Sequence, residues 1–241
     1  MTGVLMPGAF PVPEILRCCL GAIAARDHGI HHALLGHARL RIFGERESLT
    51  VPDVDEVMGS VRTAVRLSPG NGLVQALAGH AYGFYARDPE RNVAMTREAV
   101  RLQPNSGPCW IYRTISLVYT GRMAEAVGAA GTAVALCRGT MAHSFARSSQ
   151  LYARLMAGDV RGAIRSGEEA VDGLSYRPAI VNLMTTYGLA GETEKGREKL
   201  RTLMAREPDL SVDLLRSPDY PIINPVHRGY VVEAAGRLGL H

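Results

Sequence analysis

Apolar positions recur along most of the chain at steps of three and four residues, the spacing that gives an α-helix one buried face. Sustained two-residue alternation between hairpin turns, the mark of strands, is not seen in any segment. The pattern therefore predicts an all-α protein. It is clearest in segment 122–136, where one stripe contains Met123, Ala126, Val127, Ala130 and Val134.

Helix-ending phrases divide the chain into units of similar length. Pro69 and Pro104 lie 35 residues apart, and each closes a similar phrase, AVRLSPGN and AVRLQPNS. The longer interval from Asp27 to Pro69 fits one period plus about eight inserted residues, which segment 44–53 can supply. Self-similarity near 34 residues predicts stacked helical hairpins. Further helix-ending phrases lie at 132–139, 169–176 and 202–209.

Two helices are expected in each unit, joined by a short turn. Segment 107–119 is apolar and ends at Thr120-Gly121, a helix-stop signal. Asp88-Pro89 supplies an N-cap residue followed by proline in the first helical position. The two later turns are predicted at Gly158-Asp159 and Gly191-Glu192.

These positions resemble the tetratricopeptide repeat, which combines large and glycine positions in its first helix, small positions in its second and a closing proline. In unit 107–140, Trp110 stands at the large opening position, Gly121 at the turn, and Ala126 and Ala133 at the small positions. Arg138 and Ser175 depart from the closing proline. The other matching residues are Gly79, Tyr82, Ala99, Pro104, Gly158, Ala163, Ala170, Tyr187, Gly191 and Pro208.

The resemblance implies a right-handed α-solenoid of antiparallel helix pairs with a C-terminal cap helix. Residues 1–12 are expected to form a leader, residues 13–216 a solenoid of about five pairs, and residues 217–241 a linker and the cap. The proline-rich stretch SPDYPIINP is predicted to be extended. Asn224 and Pro225 are expected to open the cap helix, with Val231, Val232 and Ala235 facing inward.

Composition excludes several classes of protein. Hydrophobic residues make up 46% and charged residues 21% of the chain, which carries a net charge of +4. No apolar run approaches the ~18–20 residues that a bilayer span needs, and no basic stripe of a nucleic-acid-binding protein is visible. The first 13 residues contain no Lys or Arg and three prolines, so export is not predicted. Four irregularly spaced cysteines indicate reduced thiols and a cytoplasmic protein.

A narrower resemblance covers roughly residues 30–241 and is most specific in the central stretch 73–136. This stretch is similar to the repeat region that follows a signalling domain in bacterial class III adenylate cyclases and winged-helix transcriptional regulators, and the closing segment is similar to their cap helix. The resemblance implies a sensor or interaction region. Because no segment resembles the catalytic or DNA-binding domains of those proteins, neither cyclase activity nor direct nucleic-acid binding is expected.

Candidate chemistry is sparse. His28 and His32 would share a helix face, near His31 and His37, but a metal site needs three or four ligands and no acidic or thiol partner is expected on that face. Cys18 and Cys19 are interpreted as small buried hydrophobes.

A nucleophilic site is not predicted either. Ser148 and Ser149 with His143 lack the turn and third residue of a catalytic triad. Gly128 and Gly131 lie inside a helical pattern and are expected to serve close helix packing, not phosphate binding. We therefore expect no enzyme activity, no cofactor and no metal.

The concave surface is the remaining candidate site. The first helix of each pair lines a groove in such a stack, and its positions here are mostly apolar. The only lysines, Lys195 and Lys199, lie off this groove, which disfavours the capture of chaperone termini seen in basic grooves. The groove candidates are Phe84, Ile111, Ile115, Tyr119, Tyr152, Met156, Val181 and Leu189, with Leu34, Ile42, His80 and Thr185 in the same series.

The sequence favours a protein-interaction scaffold that binds a peptide or a partner domain through this groove. Two alternatives stay open. The apolar positions could instead pack inside the molecule or against a second copy in a homodimer. The chain could also be the regulatory repeat region of a cyclase or transcription regulator.

Far-UV circular dichroism of the purified chain is expected to be dominated by the two helical minima, because every periodic segment has helical spacing. Appreciable strand signal would reject the predicted fold.

Overall fold

The computed structural model describes residues 12–44, 54–171 and 176–241, and within these ranges the chain forms thirteen α-helices and no strand. The predicted all-α class is confirmed. The helices are α1 Val12–Ala25, α2 Gly29–Gly44, α3 Val54–Leu67, α4 Gly72–Phe84, α5 Pro89–Leu102, α6 Gly107–Tyr119, α7 Met123–Cys137, α8 His143–Met156, α9 Val160–Val171, α10 Arg177–Ala190, α11 Thr193–Arg206, α12 Val212–Arg216 and α13 Pro225–Arg237.

The helices form five hairpins, α2–α3, α4–α5, α6–α7, α8–α9 and α10–α11. The first helices of the hairpins pack against one another and form an inner layer, with the second helices outside. α1 packs on α2 at one end, and α13 packs on α10 at the other. The fold is a right-handed tetratricopeptide-like solenoid with a C-terminal cap helix, as the repeat predicts.

Two expectations fall on residues outside the described ranges. The predicted leader occupies residues 1–12, of which the structure describes only Val12, the first residue of α1. The insertion proposed at 44–53 lies, apart from Gly44, outside the described residues as well. Its effect on spacing is still visible: Gly29 and Gly72, which open α2 and α4, are 43 residues apart, whereas Gly72 and Gly107 are 35 apart.

Glycine is required at the turns between paired helices. Gly121, Gly158 and Gly191 have φ angles of +75°, +79° and +78°, a backbone conformation that other residues adopt at a cost. All three lie where the sequence predicts the turn. At the turn before α5, Asp88 accepts a hydrogen bond from the Arg91 amide at 2.9 Å and caps the helix, with Pro89 following it.

Close approach of the paired helices depends on glycine at the open end of the hairpins. A Cβ atom on Gly72 would lie 2.7 Å from the Ala99 carbonyl oxygen, and one on Gly29 would lie 2.5 Å from that of Ala64. Gly188 has the same role towards the cap: its Cβ would lie 2.8 Å from the Cβ of Ala234 in α13. Side chains at these points would push the helices apart.

The packing role expected for Gly128 and Gly131 is wrong. Both lie on the exposed face of α7, and a Cβ atom on either would meet nothing within 4 Å. Gly167 in α9 does pack closely, because its Cβ would lie 2.7 Å from Leu183 Cδ1. Glycine inside a helical pattern therefore does not identify the packed face by itself.

The C-terminal segment agrees with the expected cap helix, but residues 217–221 form bends and a turn and are not extended throughout. Residues 217–224 contain no helix, and the Asn224 side chain accepts hydrogen bonds from the amides of Val226 and His227 at 2.9 and 3.1 Å. Val231 and Ala235 are fully buried, whereas Val232 is partly exposed. None of the helices in the described ranges has the length and hydrophobicity needed to cross a bilayer.

Replacing Gly131 by alanine is expected to stabilise the protein by about 0.5–1 kcal/mol, because a helix-interior glycine gains helix propensity without a steric conflict. Gly188→Ala is expected to destabilise it by about 1–3 kcal/mol, because α13 must move away from α10. Urea-unfolding midpoints of the two variants against the parent measure both effects. A lower midpoint for Gly131→Ala or a higher one for Gly188→Ala would contradict the packing described.

Candidate functional site

A cavity lies on the concave side of the solenoid. Its walls come from α2, α4, α6, α8 and α10, and residues 221–223 and the first turn of α13 cover one side of it. Its interior volume is about 130 Å³. Stacking of the inner helices thus produces one partly covered cavity from residues of all five hairpins.

The structure brings together six of the eight groove candidates. Met156 packs instead among Leu117, Val118 and other residues of α6 and α7, and Leu189 packs on the cluster around Leu155. Both belong to the last turn of their helices, beyond the turns that line the cavity. A peptide-binding role for the set stays a prediction. The six that line the cavity are Phe84, Ile111, Ile115, Tyr119, Tyr152 and Val181.

The additional positions in the groove series are divided in the same way. His80 lines the cavity, whereas Leu34 and Thr185 are buried elsewhere in the core. The side chain of Ile42 lies outside the described residues.

Aromatic rings form the cavity wall in two columns set by the repeat. Tyr112 and Phe145 are 33 positions apart in the sequence, and so are Tyr119 and Tyr152. Equivalent positions of neighbouring hairpins lie side by side in a solenoid, and the ring centroids of the two pairs are 6.3 and 6.5 Å apart. His80 joins the columns, at 5.3 Å from Tyr112 and 6.2 Å from Tyr119.

Three histidines line the cavity, His37 in α2, His80 in α4 and His227 in α13. His37 and His227 are only 6% and 8% exposed. His37 Nε2 shares a hydrogen bond of 3.0 Å with the Tyr112 hydroxyl, and the His227 ring lies 4.8 Å from the Tyr152 ring. From the sequence, His37 was expected in a histidine cluster near the start of the chain, and no role was expected for His227.

Burial keeps these imidazoles uncharged at neutral pH. It lowers the pKa of His80 to about 4 and that of His227 to about 3. The pKa of His37 is lowered well below its usual value, first by burial and then by the neighbouring His80 and Arg41. Burial also raises the pKa of Tyr119 and of Tyr152, so both phenols stay protonated. The cavity is therefore an uncharged environment along its ring-lined walls.

The chain covers part of its own concave face. Tyr220, just before the covering residues, donates a hydrogen bond to Glu207 Oε2 at 3.0 Å, and Arg177 Nε donates to Glu207 Oε1 at 2.6 Å. All three side chains are buried. Beyond the covering residues, Asn224 Nδ2 donates to the Val118 carbonyl at 3.4 Å. The segment is thus held at both ends against the solenoid.

The other candidate clusters have local structural roles. His32 Nε2 lies 2.6 Å from Asp27 Oδ1, so the expectation that no acidic partner reaches this face is wrong. The reason is that Asp27 precedes the helix and folds back onto it. No group of three metal-binding side chains occurs among the described residues. The Ser149 hydroxyl donates to the Ala146 carbonyl of its own helix at 2.8 Å.

Comparisons with known proteins find a shared fold. No family model matches the chain, and no curated protein matches it. The solved structure of PilW, a widely conserved type IV pilus biogenesis factor, is similar with a TM-score of 0.57 and 15% identity over 94% of this chain and 88% of that one. At this identity the likeness concerns the fold alone.

Two further solved structures are similar at lower scores. A MamA RS-1 ArsTM double mutant has a TM-score of 0.47 and 16% identity, over 71% of this chain and 96% of that one. A structure of Naa15/Naa10 bound to HypK-THB has a TM-score of 0.41 and 16% identity, over 94% of this chain and 30% of that one. Neither adds to the assignment of the fold.

Acidification is expected to lower the free energy of unfolding. Below about pH 6.5 the unfolded chain binds protons at its histidines, whereas His80 in the folded protein stays neutral down to a pKa of about 4. Each buried histidine then contributes up to ~1.4 kcal/mol of lost stability per pH unit in this window. Urea unfolding from about pH 7 to about pH 5 measures the slope.

The variant His227→Phe is expected to show a shallower slope, because it removes one of the buried imidazoles. His28→Phe is the matched control, since His28 is exposed and its loss is expected to leave the slope unchanged. Equal slopes in His227→Phe and the parent would contradict the uncharged, buried state of His227.

Proposed function

We propose that this chain is a non-enzymatic protein-binding module that holds an extended segment of a partner protein against its concave face. The observation that carries the proposal is the wall of apolar and aromatic side chains built from the inner helices. Such a wall recognises the side chains of an extended segment mainly by shape and apolar burial.

The covering residues of the chain itself indicate what kind of segment fits. Pro221, Ile222 and Ile223 lie against the wall in a stretch without helix, and none of them is charged. A partner segment of the same character, extended, apolar and tolerant of proline, would find equivalent contacts on the part of the wall that these residues leave uncovered.

The uncovered part of the wall lies towards α4 and α6. Phe84, Ile115 and Tyr119 are partly exposed, whereas Ile111 and Val181 are buried within the single chain. We therefore assign partner contact to Phe84, Ile115 and Tyr119. A homodimer was considered because it would cover an exposed apolar strip. Since the chain itself buries the other groove positions, that argument no longer applies.

The cellular setting rests on the sequence alone. The narrower resemblance favours a role in bacterial signalling or transcriptional regulation, and the composition favours the cytoplasm. A partner domain in such a pathway would present the extended segment.

A photo-crosslinking amino acid such as p-benzoylphenylalanine in place of Phe84 tests the proposal. Irradiation in cells is expected to give one dominant crosslinked species whose attached peptide is apolar and extended, identified by mass spectrometry. Adding Tyr119→Ala is expected to reduce the yield several-fold, because an aromatic contact surface at the centre of an interface contributes strongly to affinity.

The same crosslinker in place of Leu136, an exposed residue of the outer helix α7, is the matched control. The Leu136 variant is expected to give only weak, unspecific products. Equal crosslinking from Leu136, or from Leu136 alone, would refute partner binding through the concave face.

A further inference from the structure

Among the residues that the structure describes, four side-chain atoms of three histidines and one asparagine that line the cavity have no hydrogen-bond partner. They are Nδ1 of His37, Nδ1 of His80, Oδ1 of Asn182 and Nε2 of His227. The side chains of His37, Asn182 and His227 are more than nine-tenths buried. Buried polar atoms in folded proteins are almost always paired. Four of them around one cavity indicate that something with polar atoms belongs inside it.

The shape of the cavity selects a flat ligand of one ring. His80, Tyr119, Tyr152 and His227 present their rings in sequence, with neighbouring centroids 6.2, 6.5 and 4.8 Å apart. An engineered apolar cavity of about 150 Å³ binds benzene, and this one, at about 130 Å³ and open towards α4 and α6, is of similar size. Aromatic walls favour an aromatic guest through offset and edge-to-face contacts.

The charges on the wall select an uncharged ligand. No Asp or Glu of the described ranges lines the cavity, so a cationic ring would find no counter-charge among those residues. Of the two arginines that line it, Arg177 is paired with Glu207 at 2.6 Å, and Arg41 lies at the α2 end beside His37. The remaining polar groups are neutral donors and acceptors.

We propose that the cavity binds a free, uncharged, single-ring aromatic molecule that carries a hydroxyl group, a ligand of the phenol class. A hydroxyl both donates and accepts, so it can pair with an imidazole nitrogen in either tautomer and can donate to the amide oxygen of Asn182. We infer a free molecule because the cavity, with a volume of about 130 Å³, holds a single ring, and residues 221–223 and the first turn of α13 cover one side of it. Tyr119 belongs both to this site and to the proposed partner surface, so the experiment has to separate a free ring from a partner's side chain.

The experiment compares five probes against the full chain by calorimetry and ligand-observed NMR. The probes are p-cresol, toluene, p-toluate, p-methylbenzylammonium and N-acetyltyrosinamide. p-Cresol is expected to bind at least about tenfold more tightly than toluene, since the hydroxyl pairs buried atoms that toluene leaves unpaired. It is also expected to bind more tightly than the two charged rings, and N-acetyltyrosinamide is expected not to enter.

Matched variants locate the site. His227→Phe keeps a ring against Tyr152 but removes Nε2, and it is expected to reduce the preference for p-cresol over toluene to about twofold or less. His80→Phe is a second variant with the same expected direction, in case His227→Phe disturbs the cap helix. His28→Phe changes an exposed residue that does not line the cavity, and it is expected to keep the full preference. Circular dichroism checks that each variant is folded.

Three outcomes would overturn the proposal. Failure of all five probes to bind would assign the cavity to ordered water only. Binding of N-acetyltyrosinamide as tightly as p-cresol would assign it to a tyrosine side chain of a partner. Equal binding of charged and uncharged rings would show that the lining residues do not favour an uncharged ligand. Failure of all five probes to bind leaves crosslinking from Phe84 unaffected, and loss of that crosslinking leaves the preference for p-cresol unaffected, so the failures of the two proposals are distinguishable.

Discussion

Each helix pair of this protein has an apolar face that only the neighbouring pair can cover, and this constraint determines most of the structure. Covering the face places the inner helices side by side at a repeat of about 33–35 residues. Residues one repeat apart then touch, as Tyr112 touches Phe145 and Tyr119 touches Tyr152. The aromatic columns of the cavity are therefore a product of the repeat and not of a separate motif.

The last pair has no following neighbour, and the C-terminal residues take its place. α13 lies close against α10 because Gly188 leaves room for Ala234. The buried pair of Arg177 and Glu207, joined by Tyr220, ties the segment before α13 to both helices of the last pair. Removing one partner from a buried ion pair costs about 3–5 kcal/mol, so this contact holds the end of the solenoid and the cover of the cavity together.

The features that recur along the chain could be predicted from the sequence. Helix type, hairpin number, the turns at Gly121, Gly158 and Gly191, and the Asn224 cap follow from local patterns that repeat or have strong positional rules. Carrying the groove positions from one repeat to the next also identified His80 and six of the eight groove candidates that line the cavity. This procedure could not show where along the inner helices the cavity ends, so it included Met156 and Leu189 as well.

Features that arise from distant contacts left no local signal. Asn224 reaches Val118 across 106 residues of sequence, and nothing periodic marks that contact. The covering of the concave face by residues 221–223, and with it the burial of His227, was therefore missed. His37 could have been recognised from its place three residues after Leu34 on the buried face of α2. To predict that Gly128 and Gly131 are exposed, one would have to know how α7 is rotated about its axis, and the local sequence does not show this.

The attachment of residues 217–224 at both ends also defines a competition. A covalently tethered segment with short linkers acts at an effective concentration in the millimolar range. An external peptide that binds the same part of the wall would therefore have to compete with a segment that cannot diffuse away. If the concave face binds a partner as proposed, a short and weakly binding segment would not displace these residues at the α8–α10 end. Binding would then require contacts at the α4–α6 end as well, which would make a small repeat protein selective without a larger contact surface.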